Sequence, residues 1–233
     1  MKILGLIGGT SWISTIDYYR QISLLFNQKL GGSDYGKCVI YSMNYQQIIN
    51  YNSKGDFEST YKVVKDAAVN LKLAGAEAIV ICANTLHMFA SRIEEEVKLP
   101  LVNIVKATAD EIAKQGLTKV GLLGTKATME MPFYKEILWK NGIETIVPEV
   151  YDRHFVHEKI FSELGKDILK LETKAEYLTI INKLLRQGAQ GIILGCTEIP
   201  LLINQTDCSY PLFDTTVIHS KAAVDFALSE FRG

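Results

Sequence analysis

The chain is short of most features that would place it outside a cell, in a membrane or on a charged polymer. Its four cysteines, Cys38, Cys82, Cys196 and Cys208, form no C-x-x-C pair, and 233 residues can bury a core without disulfide staples. Free thiols are expected. No apolar run approaches the roughly 18 residues of a membrane span, and residues 1–7 lack the length and cleavage site of a signal peptide. The expected location is therefore the cytoplasm, with no membrane partner. Charge is balanced, 25 basic residues against 26 acidic ones in scattered order for a net −1, so no field draws nucleic acid to the surface. Small neutral or anionic ligands remain admissible. Nucleotide signatures are missing: the turn Gly8-Gly9-Thr10-Ser11 does not supply G-x-G-x-x-G, and no turn ends in G-K-[ST]. No cofactor site is expected. The run His154-Phe-Val-His157-Glu158 is neither H-E-x-x-H nor H-x-x-E-H and has no further ligand in view, so no metal is expected and both histidines read as solvated helix residues.

What the chain does have is 48% apolar residues arranged in short β-rich runs that alternate with helical stretches. The runs fall at residues 2–7, 38–43, 78–82, 101–103, 119–123, 145–147, 191–194 and 212–213. Alternation of this kind predicts parallel βαβ units. The intervening stretches are amphipathic; in residues 61–73 the apolar positions recur at helical spacing and stop at Gly75. Such helices would cover both faces of a buried parallel sheet. Trp12 and Trp139 read as packing residues.

Internal similarity is more informative, because duplication fixes architecture. Gly5-Leu-Ile-Gly-Gly-Thr is echoed by Gly121-Leu-Leu-Gly-Thr-Lys, Gly75-Ala-Glu-Ala-Ile-Val-Ile-Cys-Ala-Asn by Gly188-Ala-Gln-Gly-Ile-Ile-Leu-Gly-Cys-Thr, and Leu99-Pro-Leu-Val-Asn by Tyr210-Pro-Leu-Phe-Asp. Three landmarks in order, each displaced by roughly 110 to 116 residues, predict two pseudo-symmetric α/β domains. The expected boundaries are 1–103 plus 211–233 for the first and 104–210 for the second. Ligands of open parallel sheets bind beyond the carboxyl ends of the strands, where the repeated motifs lie, so the active site is expected in the cleft between the domains.

Within those motifs, Gly195-Cys196-Thr197-Glu198-Ile-Pro200 puts a thiol where a buried strand stops and a helix with an early proline starts. A helix N-terminus there would stabilise a thiolate and make Cys196 a base or nucleophile at neutral pH. Glu198 either caps that helix or hydrogen-bonds within the site. In the repeat, Cys82 falls on Gly195, Ala83 on Cys196 and Asn84 on Thr197. Strand alternation then sends Cys82 to the face opposite Ala83, which argues against Cys82 as a replacement thiol. Asn84 and Thr85 can offer donors to a carboxylate, as can the hydroxyl-rich turns holding Thr10 and Ser11 and holding Thr125 and Thr128. His87 reads as structural, and Lys166 as an exposed helix-end residue.

The set Gly-Gly-Thr-Ser-Trp-x-Ser-Thr, Ala-Asn-Thr-x-His, Leu-Leu-Gly-Thr-x-x-Thr-Met and Gly-Cys-Thr-Glu-Ile-Pro-Leu, in that order and over essentially the whole chain, resembles the aspartate/glutamate racemase family. That resemblance implies a cofactor-independent amino-acid racemase of two pseudo-symmetric α/β domains, commonly a homodimer, acting on a small amino-acid substrate. In such enzymes one thiolate removes the α-proton and a thiol on the opposite face returns it. Carried over by motif, Cys196 is one of the pair, Asn84, Thr85, Thr125, Thr128 and Thr197 bind substrate, and Lys166 lies where aspartate racemases can carry a substrate-binding lysine. The family's other cysteine directly precedes Asn-Thr, and here that position is Ala83. Residues 44–47, Asn-Tyr-Gln-Gln, also lack the arginine some aspartate racemases use. The resemblance thus points to a branch without the first catalytic cysteine and to a bias towards one enantiomer. It leaves two alternatives: a one-cysteine decarboxylase of the same superfamily, or an amino-acid-binding protein that has lost its catalysis.

Overall fold

A computed structural model describes residues 1–229. Its contacts divide the chain into two units, the first holding Met1–Asn103 and the chain from His219 on, the second Ile104–Ile218. Each is a parallel four-stranded sheet between layers of helices.

In the first unit the elements run β1 (Leu4–Gly8), α1 (Trp12–Leu30), β2 (Cys38–Ser42), α2 (Tyr45–Asn52), α3 (Phe57–Leu73), β3 (Ala78–Ile81), a 3₁₀ turn (Thr85–Phe89), α4 (Ala90–Val97) and β4 (Leu101–Val102). The strand order is β2-β1-β3-β4, every pair parallel. β1 and β3 are apolar and fully buried, as strands covered on both faces must be. Their side chains alternate between two clusters. Ile79, Ile81 and Ala83 pack with residues of α2, α3 and α4. Ala78, Val80 and Cys82 pack with Tyr18, Ile22 and Phe26 of α1. Local chemistry sets the helix ends: Ser11 Oγ and Asp56 Oδ1 accept the amides of Ser14 and Ser59 at the starts of α1 and α3, caps worth about 1 kcal/mol each. After α3, Gly75 takes φ +91°.

The second unit continues with α5 (Ile104–Lys114), β5 (Lys119–Gly124), α6 (Lys126–Glu130), α7 (Pro132–Lys140), β6 (Glu144–Ile146), α8 (Val150–Ser162), a 3₁₀ turn (Leu164–Lys166), α9 (Leu171–Arg186), β7 (Ile192–Gly195), α10 (Ile199–Leu202), a 3₁₀ turn (Gln205–Asp207), β8 (Leu212–Asp214) and α11 (Thr215–Leu228). Its order, β6-β5-β7-β8, repeats that of the first sheet. Ile192, Leu194 and Cys196 face the cluster built by α8, α9 and α10. Ile193 faces the one built by α5 and α7. All eight runs read as strands are strands, within about two residues at each end. The α/β fold class, two sheets each flanked by helices, stands as read.

Three expectations need correction. Residues 211–218 belong to the second unit, not the first, because β8 pairs with β7 through Ile192↔Leu212, Ile193↔Phe213 and Leu194↔Asp214. The chain returns to the first unit only at His219, inside α11, whose Ala223, Val224 and Ala227 join the α1 face of the first sheet. Trp12 and Trp139 are 65% and 72% exposed, since α1 turns Ser14, Tyr18, Ile22 and Phe26 inward and α7 turns Tyr134 and Leu138 inward. His157 is half-buried rather than solvated, and its Nδ1 accepts the Lys126 amide at 3.1 Å. Among the described residues no helix is long and apolar enough to cross a membrane.

Candidate active site

The order 2-1-3-4 reverses direction between the first and third strands, so in each unit a crevice opens beyond the carboxyl ends of those two neighbours. The candidate site residues read from the sequence, Lys166 apart, sit in the turns and helix starts at these places.

In the first unit β1 runs into Gly8-Gly9-Thr10-Ser11 and β3 into Cys82-Ala83-Asn84-Thr85. Gly9 takes φ +94°, and a Cβ there would lie 2.2 Å from the Met43 carbonyl oxygen, so only glycine lets β1 turn this tightly past the end of β2. Thr10 and Ser11 are half-buried. Ser11 caps α1, so its hydroxyl oxygen is engaged by the Ser14 amide at 3.3 Å. Two residues that sequence reasoning did not single out hold the turn together. Thr15 Oγ1 accepts the Gly9 amide at 2.9 Å, and Ser14 Oγ donates to the Cys82 carbonyl at 3.0 Å, tying α1 to the end of β3. A Ser-x-x-Ser-Thr run after a Gly-Gly turn was the available signal. Cys82 is buried in the α1-side cluster, and burial pushes its thiol well above the ordinary range. Ala83 lies on the other side, half-buried, and carries no acid or base. Asn84 is buried and Thr85 half-buried, directly after it.

In the second unit β5 runs into Gly124-Thr125 and β7 into Gly195-Cys196. The facing residues Gly124 and Gly195 are paired in register, and a Cβ on Gly124 would meet the Gly195 carbonyl oxygen at 2.7 Å, so the two turns approach as only glycines allow. Thr125 caps α6: its Oγ1 accepts the Thr128 amide at 3.3 Å and lies 3.1 Å from Thr128 Oγ1. Thr128 is fully buried behind the glycine pair, so its role in this geometry is to hold the Thr125 turn. Lys166 is exposed at the end of its 3₁₀ turn. That turn is anchored by Leu164, which shares a cluster with Cys196, Ile199 and Leu202, and by Glu163, whose carbonyl accepts the Lys166 amide at 2.9 Å. The buried Glu163 carboxylate takes hydrogen bonds from Thr173, Lys159 and Lys170, which hold its pKa down to about 2, Thr173 contributing most. Nothing in the spacing of the sequence had pointed to Glu163.

Cys196 is 8% exposed, and its Sγ donates to Glu198 Oε2 at 2.8 Å. Thr197 Oγ1 donates to the same oxygen at 2.9 Å. Glu198, 5% exposed, makes no side-chain cap to α10, so of its two sequence readings the in-site hydrogen bond is the one realised. The Thr197 hydroxyl proton is therefore committed to Glu198, and what the side chain presents otherwise is oxygen lone pairs. The surroundings work against the expected thiolate. Burial first, then the charge of Glu198 and its hydrogen bond, raise the Cys196 thiol well above its ordinary range, while the Glu198 and Thr197 amides pull the other way. The helix that was to supply a dipole is only four residues long. Burial and the neighbouring carboxyl thus favour the neutral form of the Cys196 thiol, which sits in hydrogen-bond contact with Glu198. Among the described residues no three His, Cys, Asp or Glu side chains are grouped to hold a metal ion.

The sequence profile of the Asp/Glu/hydantoin racemase family matches residues 7–223. This chain belongs to that family. Among curated relatives, the broad specificity amino-acid racemase RacX of Bacillus subtilis is 24% identical over 231 residues, covering 97% of this chain and 99% of its own. Among solved structures, a protein of Yersinia pestis provisionally described as an Asp/Glu racemase is 49% identical with a TM-score of 0.91, covering 98% of this chain and 100% of its own. An aspartate racemase homologue from Pyrococcus horikoshii is 38% identical with a TM-score of 0.85, covering 97% and 99%. The named members of this racemase family are isomerases of amino acids, and family membership gives the chain that general assignment.

Proposed function

We propose that the chain is a cofactor-independent racemase of a small α-amino acid, aspartate- or glutamate-like, in which Cys196 exchanges the α-proton. The observation that carries this is the Cys196 Sγ to Glu198 Oε2 hydrogen bond of 2.8 Å at the switch point of the second sheet. The Glu198 acceptor gives the Cys196 proton a place to go, and the raised thiol pKa makes the thiolate, once formed, a stronger base towards carbon. Glu198 takes the Cys196 proton as substrate binds, the thiolate then takes the α-proton, and the C–H electron pair spreads into the substrate carboxyl. Backbone amides and hydroxyls at the switch-point turns stabilise that charge. The proton returns from Sγ to carbon, and Glu198 gives its proton back to the thiolate.

Inversion needs a second acid on the other face of the planar intermediate. Ala83, the repeat equivalent of Cys196, cannot supply one, so α-proton exchange on one enantiomer outpaces inversion. The test is NMR of α-proton loss in D₂O with both enantiomers of aspartate, glutamate and several neutral amino acids. Exchange in the wild type that drops by at least about a hundredfold in Cys196→Ser supports the reading. No exchange with any amino acid sinks it. Release of carbon dioxide from an aryl-substituted malonate would then favour the one-thiol decarboxylase, and tight amino-acid binding without exchange the binding protein.

A further inference from the structure

A buried aromatic cluster stands behind the Ala83-Asn84-Thr85 turn and takes no part in the chemistry above. His87 Nδ1 lies 2.8 Å from the Ala83 carbonyl oxygen, which can only accept, so Nδ1 carries the proton and Nε2 the lone pair. His219 Nε2 lies 2.7 Å from the Val102 carbonyl oxygen, so there Nε2 carries the proton and Nδ1 accepts the Tyr18 hydroxyl at 2.8 Å. The two imidazoles meet edge to face, with centroids 5.3 Å apart, and Tyr18 meets His219 edge to face at 5.6 Å. All three side chains are at most 3% exposed. They come from the first 3₁₀ turn, α11 and α1, and of the three only His87 reaches the Ala83 carbonyl, with His219 packed on its ring and Tyr18 bonded to His219.

That carbonyl matters because backbone bonding from the strand runs out here: the Cys82 amide still donates to Ile7 and the Ala83 amide to Ile81, while the Ala83 carbonyl lies beyond the paired strand. Two side chains hold the carbonyls of these two peptides. Ser14 Oγ holds the Cys82 carbonyl, and His87 Nδ1 holds the Ala83 carbonyl. A trans peptide is planar, so fixing the direction of the Ala83 carbonyl fixes the Asn84 N–H in the opposite direction. The arrangement is also costly. His87 Nε2 is buried without a hydrogen bond of ordinary geometry among the described residues, a loss that an apolar side chain at this position would avoid.

We infer that His87, braced by His219 and Tyr18, is a positioning residue that aims the Asn84 and Thr85 turn at the substrate through the Ala83 carbonyl. The inference rests on the racemase reading for the identity of the ligand, but its first readout does not. Asparagine places an amide nitrogen where His87 has Nδ1 and can keep the bond, whereas phenylalanine keeps the ring and loses it. Hydrogen exchange and amide shifts of Asn84 and Thr85 in the free protein are compared for wild type, His87→Asn and His87→Phe, followed by KM and kcat for α-proton exchange. His87→Phe is expected to move both amides and to raise KM about tenfold, the equivalent of one donor's alignment, with a smaller change in kcat. His87→Asn is expected to stay within about threefold of wild type.

Unmoved amides and unchanged KM in His87→Phe, with only a lower melting temperature, would overturn the inference and leave His87 as core packing. If His87→Phe does not fold, Tyr18→Phe decides: it removes only the brace and must shift the same amides, less far, or the inference falls. A wild type that exchanges no amino acid would sink the racemase reading while the amide measurements still judged His87.

Discussion

The ends of β3 and β7 are the same place in two copies of one unit, and they differ by the shift of a single cysteine. In the second unit Gly195 precedes Cys196; in the first Cys82 precedes Ala83. The pleat does the rest. Ile192, Leu194 and Cys196 line one cluster, Ile79, Ile81 and Ala83 its counterpart, so the face of the first unit equivalent to that of Cys196 carries a methyl group. The thiol one residue earlier is turned into the α1-side core, 3.9 Å from the Val80 carbonyl oxygen. Gly195 cannot be a cysteine in its turn, because a Cβ there would meet the Leu123 carbonyl oxygen at 2.7 Å and Leu122 Cδ1 at 2.9 Å. A cysteine count would give both units a thiol; the register puts only one of the two on the face that Cys196 and Ala83 share.

The sharpest way to separate the two units is acid. The first buries two neutral histidines, His87 with its pKa lowered to about 4 and His219 to about 3, mainly by burial. Both groups bind protons more weakly folded than unfolded. Their stability term is therefore complete above pH 6.5, the ordinary value, and is lost as pH falls from there to about 4, where His87 takes a proton. The loss from His87 alone is about 3 kcal/mol at 1.4 kcal/mol per unit. In the second unit the carboxylates Glu163 and Asp207 are lowered from ordinary values of 4.5 and 3.8, so their terms fade only below that window, and its lowered histidine, His157, is only half-buried. Hydrogen exchange between pH 6.5 and 4.5 should thus show the amides of β1 and β3 losing protection ahead of those of β5 and β7. Equal loss in both units would mean the histidine pair is not the weak point.

Next in size is Glu198→Gln. Glutamine keeps an oxygen that can accept the Cys196 hydrogen bond but cannot take the proton, so α-proton exchange should fall by about a hundredfold. The opposite outcome is equally informative. The charge of Glu198 raises the thiol pKa, so if that carboxyl only hinders ionisation, the variant should be faster than wild type and its pH profile should shift to lower pH.

Much of this frame was legible in the sequence because buried parallel strands leave a strong mark, short apolar runs ending in glycine, and the repeat supplied their pairing. The face taken by Cys82 followed from period-two alternation. What was not legible depended on packing that no local spacing encodes. The thiolate expectation assumed a helix after Cys196 and open surroundings; α10 ends after four residues and the thiol sits among Leu164, Tyr177 and Ile199. Whether Glu198 capped or turned inward was a matter of rotamer. The domain boundary was misplaced by assigning the chain back to the first unit at the repeat landmark, although β8 completes the second sheet and the return comes within α11.

A gain of function tests the one-residue shift directly. Ala83→Cys puts a thiol at the repeat equivalent of Cys196, where the resemblance to two-thiol racemases places the second acid. Inversion should rise about tenfold relative to exchange, and the enantiomer bias should shrink. Cys82→Ala should leave both rates as they are, since that thiol lies in the core on the other side of β3. A faster Ala83→Cys establishes the shift as the cause of the asymmetry; an unchanged ratio means the first unit has lost more than a thiol.

The smallest effect concerns the turn that carries the missing thiol. Ser14 Oγ donates to the Cys82 carbonyl, and both groups are buried. In the second unit the corresponding crest is held by backbone contact between Gly124 and Gly195 and by Thr128 packed behind them. Removing the Ser14 hydroxyl leaves a buried carbonyl without that donor, which should cost about 1 kcal/mol and, with the Ala83 carbonyl still held by His87, should loosen the Cys82–Ala83 peptide more than the next one. Ser14→Ala is therefore expected to lower the melting temperature by a few degrees and raise hydrogen exchange at Ala83 more than at Asn84. Thr128→Ser, its counterpart in the second unit, keeps the hydroxyl and loses the methyl, so it should cost stability without touching those amides. If instead Ser14→Ala disturbs Asn84 as strongly as Ala83, the two pins act as one, and the turn moves as a rigid piece whose orientation neither side chain sets alone.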